Sequence, residues 1–229
     1  PAAERPERLQ PRNTAGGTGE EQRLRYTEIM ATRDSVKAIR GDKKSLAPQI
    51  RPEALDAAYE TWSKCETFQS FLKEKQDEAR EAALTGHGGK LQDEFRDYVL
   101  HLDHIPADVP AEYMPQADER LEALKEKYKA ADYNGKSEQE KLALAAELMA
   151  TREVVQAVRG DKSSLTKPVD PAKLNEAVTR WTGCKAFRDF VKDDPAQVRD
   201  GATAGHGGLL GDKFKEYVLN RDVVEGDVP

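Results

Sequence analysis

The sequence predicts an all-α chain: two tandem copies of a small bundle of about four helices, joined by a helical linker. Three observations lead there. Apolar residues recur at steps of three and four rather than two along almost every uninterrupted stretch. Residues 28–110 align with 147–229 without a gap at an offset of 119, with about 37 of the 83 positions identical. The residues that repeat best are apolar, glycine and helix-ending types, which are the ones a duplicated fold must keep. "MATRDSVKAIRGDKKSL" (30–46) is answered by "MATREVVQAVRGDKSSL" (149–165), and "WSKCETFQSF" (62–71) by "WTGCKAFRDF" (181–190).

In chain order, residues 1–19 hold prolines and glycines that argue against a long helix, and this leader reads as extended or disordered. The first copy covers residues 20–110. Its first helix runs from about Glu20 to Arg40 with Ile29, Met30, Val36 and Ile39 on the apolar side. It stops at Gly41, because glycine takes the left-handed conformation that closes a helix at little cost. The second starts near Pro52, a residue suited to a first helical turn. Its stripe is Leu55, Ala58, Tyr59, Trp62, Cys65, Phe68 and Leu72. A short third helix covers 77–83, and in the second copy Asp194 and Pro195 supply its cap and first position. The fourth carries Leu91, Phe95, Tyr98, Val99 and Leu102 on one face. Residues 111–138 form the linker, with a helix presenting Leu121, Leu124 and Tyr128 to one side, and the second copy covers 139–229. A chain that opens on Pro1 and closes on a repeat boundary reads as a piece of a longer protein.

Composition narrows the partners. Charged residues at 34% nearly match hydrophobic ones at 38%, which favours small bundles with solvated outer faces. The net charge of −6 comes from interspersed signs with no basic stripe, so no nucleic-acid partner is expected. No apolar run is long enough to span a bilayer, and no membrane insertion is expected. A protein partner fits this surface best.

Four features carry candidate chemistry. "TGHGG" (85–89) returns as "AGHGG" (204–208), setting Gly86, His87, Gly88 and Gly89 against Gly205, His206, Gly207 and Gly208. Consecutive glycines before a helix can offer backbone N–H groups to an anionic ligand. A phosphate loop would want a lysine and a Ser or Thr after a strand. Here Lys90 is replaced by Leu209, and neither the hydroxyl nor the strand is present. The favoured reading is a turn in which glycine lets one helix approach another. Cys65 pairs with His87 and Cys184 with His206, but each cysteine falls on a buried stripe, where it acts as a small hydrophobe. Zinc would need three or four ligands where the copies share two, so no metal and no cofactor are expected.

"RGD" occurs twice, at Arg40–Asp42 and Arg159–Asp161, and matches an adhesion tripeptide. A basic helix end, a capping glycine and a turn-forming aspartate explain the same residues. Phe68 and Phe71 cannot both lie at the centre of one helical stripe, so Phe71 and its counterpart Phe190 are the candidates for a partner-facing aromatic. Together these features predict a non-catalytic tandem helical module, a protein-interaction or spacer region. A small-ligand binder or enzyme using the Gly-His-Gly-Gly clefts is the first alternative, and an extracellular adhesion module through the RGD turns the second.

Overall fold

In the computed structural model, which describes residues 19–41, 51–85, 88–130, 133–160, 169–204, 207–222 and 226–229, every regular element is a helix. Helices α1 (Gly19–Gly41), α2 (Pro52–Lys64), α3 (Glu66–Glu74), α4 (Gln76–Leu84) and α5 (Gly89–Leu100) come first. They are followed by α6 (Ala117–Ala130), α7 (Glu138–Gly160), α8 (Pro171–Gly183), α9 (Lys185–Asp193), α10 (Pro195–Thr203) and α11 (Gly208–Leu219). Short 3-10 turns occupy Ala111–Tyr113 and Tyr133–Gly135. The chain divides into two compact units, residues 1–94 and 95–229, with the boundary inside α5. Among the described residues no helix is long and apolar enough to cross a membrane.

Local chemistry explains the starts of α2, α7 and α8. Pro52 and Pro171 sit in the first turns of α2 and α8, and the Asp170 carboxylate accepts the Ala172 N–H at 3.0 Å. Before α7, Ser137 and Glu140 form a reciprocal capping box: the Ser137 hydroxyl accepts the Glu140 N–H, and the Glu140 carboxylate accepts the Ser137 N–H at 2.8 Å. Two expectations fail. Gly160 is the last residue of α7 but has no positive φ, so the helix ends there without a left-handed residue. Asp194 precedes α10 without a side-chain cap, leaving Pro195 to fix the first turn.

The larger correction is at the cysteines. The stripe read as one helix from Leu55 to Leu72 is broken at Cys65, whose φ −69° and ψ 97° are extended; Cys184 repeats this at −66° and 113°. One extended residue resets the helical phase, so the next helix turns a different face inward. Phe68 and Phe71 are therefore both buried, at 0% and 1% exposed, as are Phe187 and Phe190 at 0% and 1%. Phe71 and Phe190 belong to the core and neither is offered to a partner. Cys184 also caps the new helix, its Sγ accepting the Phe187 N–H at 3.4 Å.

Within the first unit α1 packs along α2, and α4 touches both α3 and α1. Trp62 packs edge-on against Phe68 (4.9 Å, 67°) and donates its Nε1–H to Asp34 on α1 at 2.5 Å. Within the second unit α7 packs along α8, and Trp181 meets Phe187 at 5.0 Å and 67°. Trp181 donates its indole N–H to Glu153 on α7 at 2.5 Å. The partners Asp34 and Glu153 are themselves 119 residues apart.

The linker helix is part of the second unit. α6 packs on α7 and α10, burying Leu121, Leu124 and Tyr128. It also buries a charge. Arg120 is 1% exposed and lies against the Glu147 carboxylate, which is 0% exposed. Its guanidinium donates to the carbonyls of Val99 and Leu100 in the last turn of α5 and of Leu102 just beyond it, where a helix terminus exposes acceptors. Burial pushes the Arg120 guanidinium down to about 9, with Asp103 pulling the other way, so it stays a cation at neutral pH. Glu28, which matches Glu147 at the repeat offset, is exposed on α1.

Arg120→Ala would strand a buried carboxylate and uncap α5, and is predicted to cost about 3–5 kcal/mol in urea unfolding. Glu28→Ala, at the matched but solvated position, is predicted to change stability by no more than about 0.5 kcal/mol.

Candidate functional site

Of the two glycine clusters, Gly88, Gly89, Gly207 and Gly208 are described, while Gly86, His87, Gly205 and His206 lie outside the described residues. Gly88 has φ 65° and Gly207 φ 78°, a left-handed conformation that side chains strain to adopt. Each stands directly before a helix, and the carbonyls of Gly88 and Gly207 accept the N–H of Gln92 and Gly211 at 3.0 Å. A Cβ on Gly88 would come within 3.1 Å of Ile29 Cγ2 and 3.2 Å of Arg33 Cβ. One on Gly207 would come within 3.2 Å of Arg152 Cβ and 3.4 Å of the Leu148 carbonyl. Ile29 and Leu148, like Arg33 and Arg152, are matched by the same offset. These glycines seat the start of α5 on α1, and the start of α11 on α7.

The arginines differ in what they meet next. Arg33 donates its Nε–H to Gln92 Oε1 at 3.0 Å. In the second unit the position of Gln92 is Gly211, and the Arg152 guanidinium lies where a side chain there would begin. Gly89 faces Arg33, whereas a Cβ on Gly208 would meet nothing within 4 Å.

Both cysteines are buried, each 2% exposed, and neither is in a disulfide. Burial pushes the Cys184 thiol up, with the Phe187 N–H pulling it down, and a raised thiol is poor in the thiolate that a nucleophile needs. Among the described residues no group of three or more His, Cys, Asp or Glu side chains could hold a metal ion. Of the two RGD tripeptides, Arg40 and Arg159 fall in the last turns of α1 and α7 with side chains outside the described residues. Asp42 and Asp161 lie outside them altogether.

The second unit holds a feature that reading the sequence missed. A groove of about 560 Å³ opens between α7 and α11, lined by Trp181 and Phe214 together with Met149, Val218 and Leu219. Arg152, Glu153 and Lys215 add charge to its lining, and Val228 and Pro229 also line it. That tail is anchored: the Asp227 carboxylate accepts the Lys185 N–H at the start of α9. Leu219 is 80% exposed at the groove's edge. Covering such a side chain is worth about 1.5–3 kcal/mol. A second depression, about 260 Å³ beside Lys173 and Arg180, is below the size of ordinary ligand pockets, whereas the groove is well within it.

The chain matches no family model, no curated protein and no solved structure. The site therefore rests on its own geometry.

None of Gly88, Gly89, Gly207 and Gly208 lines the groove, although Gly211, four residues beyond the left-handed glycine, does. The sequence carried one signal for it. Leu219 and Val218 repeat Leu100 and Val99 in "FKEYVL" and "FRDYVL", which marks them as apolar positions of a matched helix end.

Gly207→Ala places a side chain at positive φ against Arg152 and is predicted to cost about 1–3 kcal/mol. Gly208→Ala, a residue later in open space, is predicted to be neutral or stabilising by up to about 1 kcal/mol. Thermal melts of the two variants test the joint.

Proposed function

We propose that this chain is a non-catalytic interaction module built as two tandem copies of a small helical unit, five helices in each, with the second copy presenting a peptide-binding groove. The groove lined by Trp181, Phe214, Val218 and Leu219 carries the reading. It has the make-up of a surface that accepts a partner segment: two aromatics, an exposed leucine and charged side chains in one lining. The paired features favour duplication. Two left-handed glycines meet matched helix residues, two cysteines break matched helices, and two tryptophans bond matched acids on the preceding long helix. The described glycines of both clusters serve the helix joints, which supports a structural use of that motif over a catalytic one.

Selection of a random displayed-peptide library on the full chain tests this. Peptides with an aromatic and an aliphatic anchor are expected to be enriched, and their binding is expected to fall about tenfold or more with Leu219→Glu. No enrichment, or enrichment indifferent to Leu219→Glu, would count against an interaction groove here.

A further inference from the structure

The turn between α6 and α7 carries the run Tyr133, Asn134, Gly135, Lys136. Of the four asparagines in the sequence, Asn13, Asn134, Asn175 and Asn220, Asn134 alone precedes a glycine. The side-chain amide of an asparagine is open to attack by the backbone nitrogen that follows it, and a following glycine puts no Cβ in the way. Asn175 is followed by Glu176 inside α8, and Asn220, the cap residue after α11, by Arg221. The Asp200-Gly201 pair shows the opposite setting. It lies inside α10, where a Cβ on Gly201 would come within 2.8 Å of Leu210 Cα. Asn134 and Gly135 are exposed in a single 3-10 turn, so the rotation that attack requires opens that turn and no packed helix.

A positive charge stands where this reaction needs one. Lys141, near the start of α7, donates its ammonium to the Asn134 main-chain carbonyl at 3.4 Å. The same ammonium lies 5.4 Å from the centroid of the Tyr133 ring, which is 2% exposed and stacks on Tyr128 at 5.7 Å. The buried tyrosine thus holds the lysine over the turn. That carbonyl belongs to the amide whose nitrogen is the Gly135 N. When this nitrogen loses its proton, the negative charge is shared with the carbonyl oxygen, and a cation at the oxygen stabilises it.

We infer that Asn134 and Gly135 form a site of spontaneous backbone modification, promoted by Lys141, whose isoaspartate product loosens the junction of α6 with α7. Hydroxide takes the Gly135 amide proton, and the nitrogen bonds to the side-chain carbonyl carbon of Asn134. The bond from that carbon to the side-chain nitrogen breaks, and ammonia leaves with a proton from water. The succinimide ring so formed then adds one water. Opening at the side-chain carbonyl gives aspartate. Opening at the main-chain carbonyl, the one that Lys141 polarises, gives isoaspartate, with the chain rerouted through the side chain. The net change consumes one water and releases one ammonia. Isoaspartate lengthens the main chain by a methylene between two fixed points, Tyr133 in its stack and the Ser137–Glu140 capping box. The Lys136 N–H, which donates to the Tyr133 carbonyl at 3.3 Å, lies within that interval. Aspartate keeps the chain length and sets a carboxylate before the positive end of α7, where it is tolerated. The site acts as a one-way switch on the linker helix and does not depend on the groove.

The test is peptide mapping by mass spectrometry of the full 229-residue chain, incubated in warm, mildly alkaline buffer and sampled over time. Asn134 is expected to convert at least about tenfold faster than Asn175 or Asn220, with isoaspartate as the larger product. Lys141→Met is expected to slow the conversion about two- to fivefold, the range for a charge in contact with solvent. Lys141→Arg is expected to keep the parent rate, and in urea all three chains are expected to convert alike. Circular dichroism checks that both variants are folded. The isoaspartate form, separated by ion exchange, is expected to melt about 2–4 °C below the parent, while Asn134→Asp melts with the parent. Conversion at Asn134 no faster than at the other asparagines overturns the site. A Lys141→Met effect that is absent, or that persists in urea, overturns the part given to the lysine. Melting of the isoaspartate form at the parent temperature overturns the switch.

Discussion

The structure depends on a close backbone approach that only glycine permits. At Gly88 and Gly207 the chain turns with positive φ while a helix passes about one side-chain radius away, so a Cβ would meet Ile29 and Arg33 or Leu148 and Arg152. Two demands coincide at one residue: a left-handed backbone and no room for a side chain. Meeting both seats the following helix on the long helix before it. In the second unit this sets α11 against α7 and brings Phe214 toward Trp181, whose rings stand 5.7 Å apart. The groove walls are the two helices that this joint holds together.

Aromatic packing consolidates that arrangement. In the second unit Phe187, Phe190 and Phe214 meet at 5.3–6.2 Å, and Tyr217 extends the cluster from Phe190 at 5.2 Å. Tyr217 donates its hydroxyl to Asp193, and Arg221 lies over its ring at 4.5 Å. The aromatics are few, but the break at each cysteine turns them onto one side, so a chain poor in large side chains still fills its centre. The same break removes Phe71 and Phe190 from any role at the surface.

Matched positions do not mean matched environments. Glu28 and Glu147 match at the sequence offset of 119, yet one is solvated and the other lies 0% exposed against Arg120. Glu147 is covered by α6, which packs on α7. A buried arginine contributes only if its donors are used, and here they reach Glu147 and three carbonyls ending α5. The linker is thus a structural part of the second unit rather than a simple tether.

The sequence by itself determined the helical class, the positions of most helices and the residues of the glycine joint, because periodicity, proline and glycine act through local geometry. The offset of 119 also fixed which residues correspond, pairing Trp62 with Trp181 and Arg33 with Arg152. Only the tertiary structure decided how those residues are used. The extended cysteines could not be read from spacing, since a single non-helical residue leaves the pattern of apolar residues nearly unchanged while rotating everything after it. The burial of Arg120 depends on α6 crossing α7, a contact between segments nearly 30 residues apart. The groove belongs to no segment at all: its walls come from α7, α8, α11 and the "DVP" tail, and local sequence encodes each wall but not the space between them.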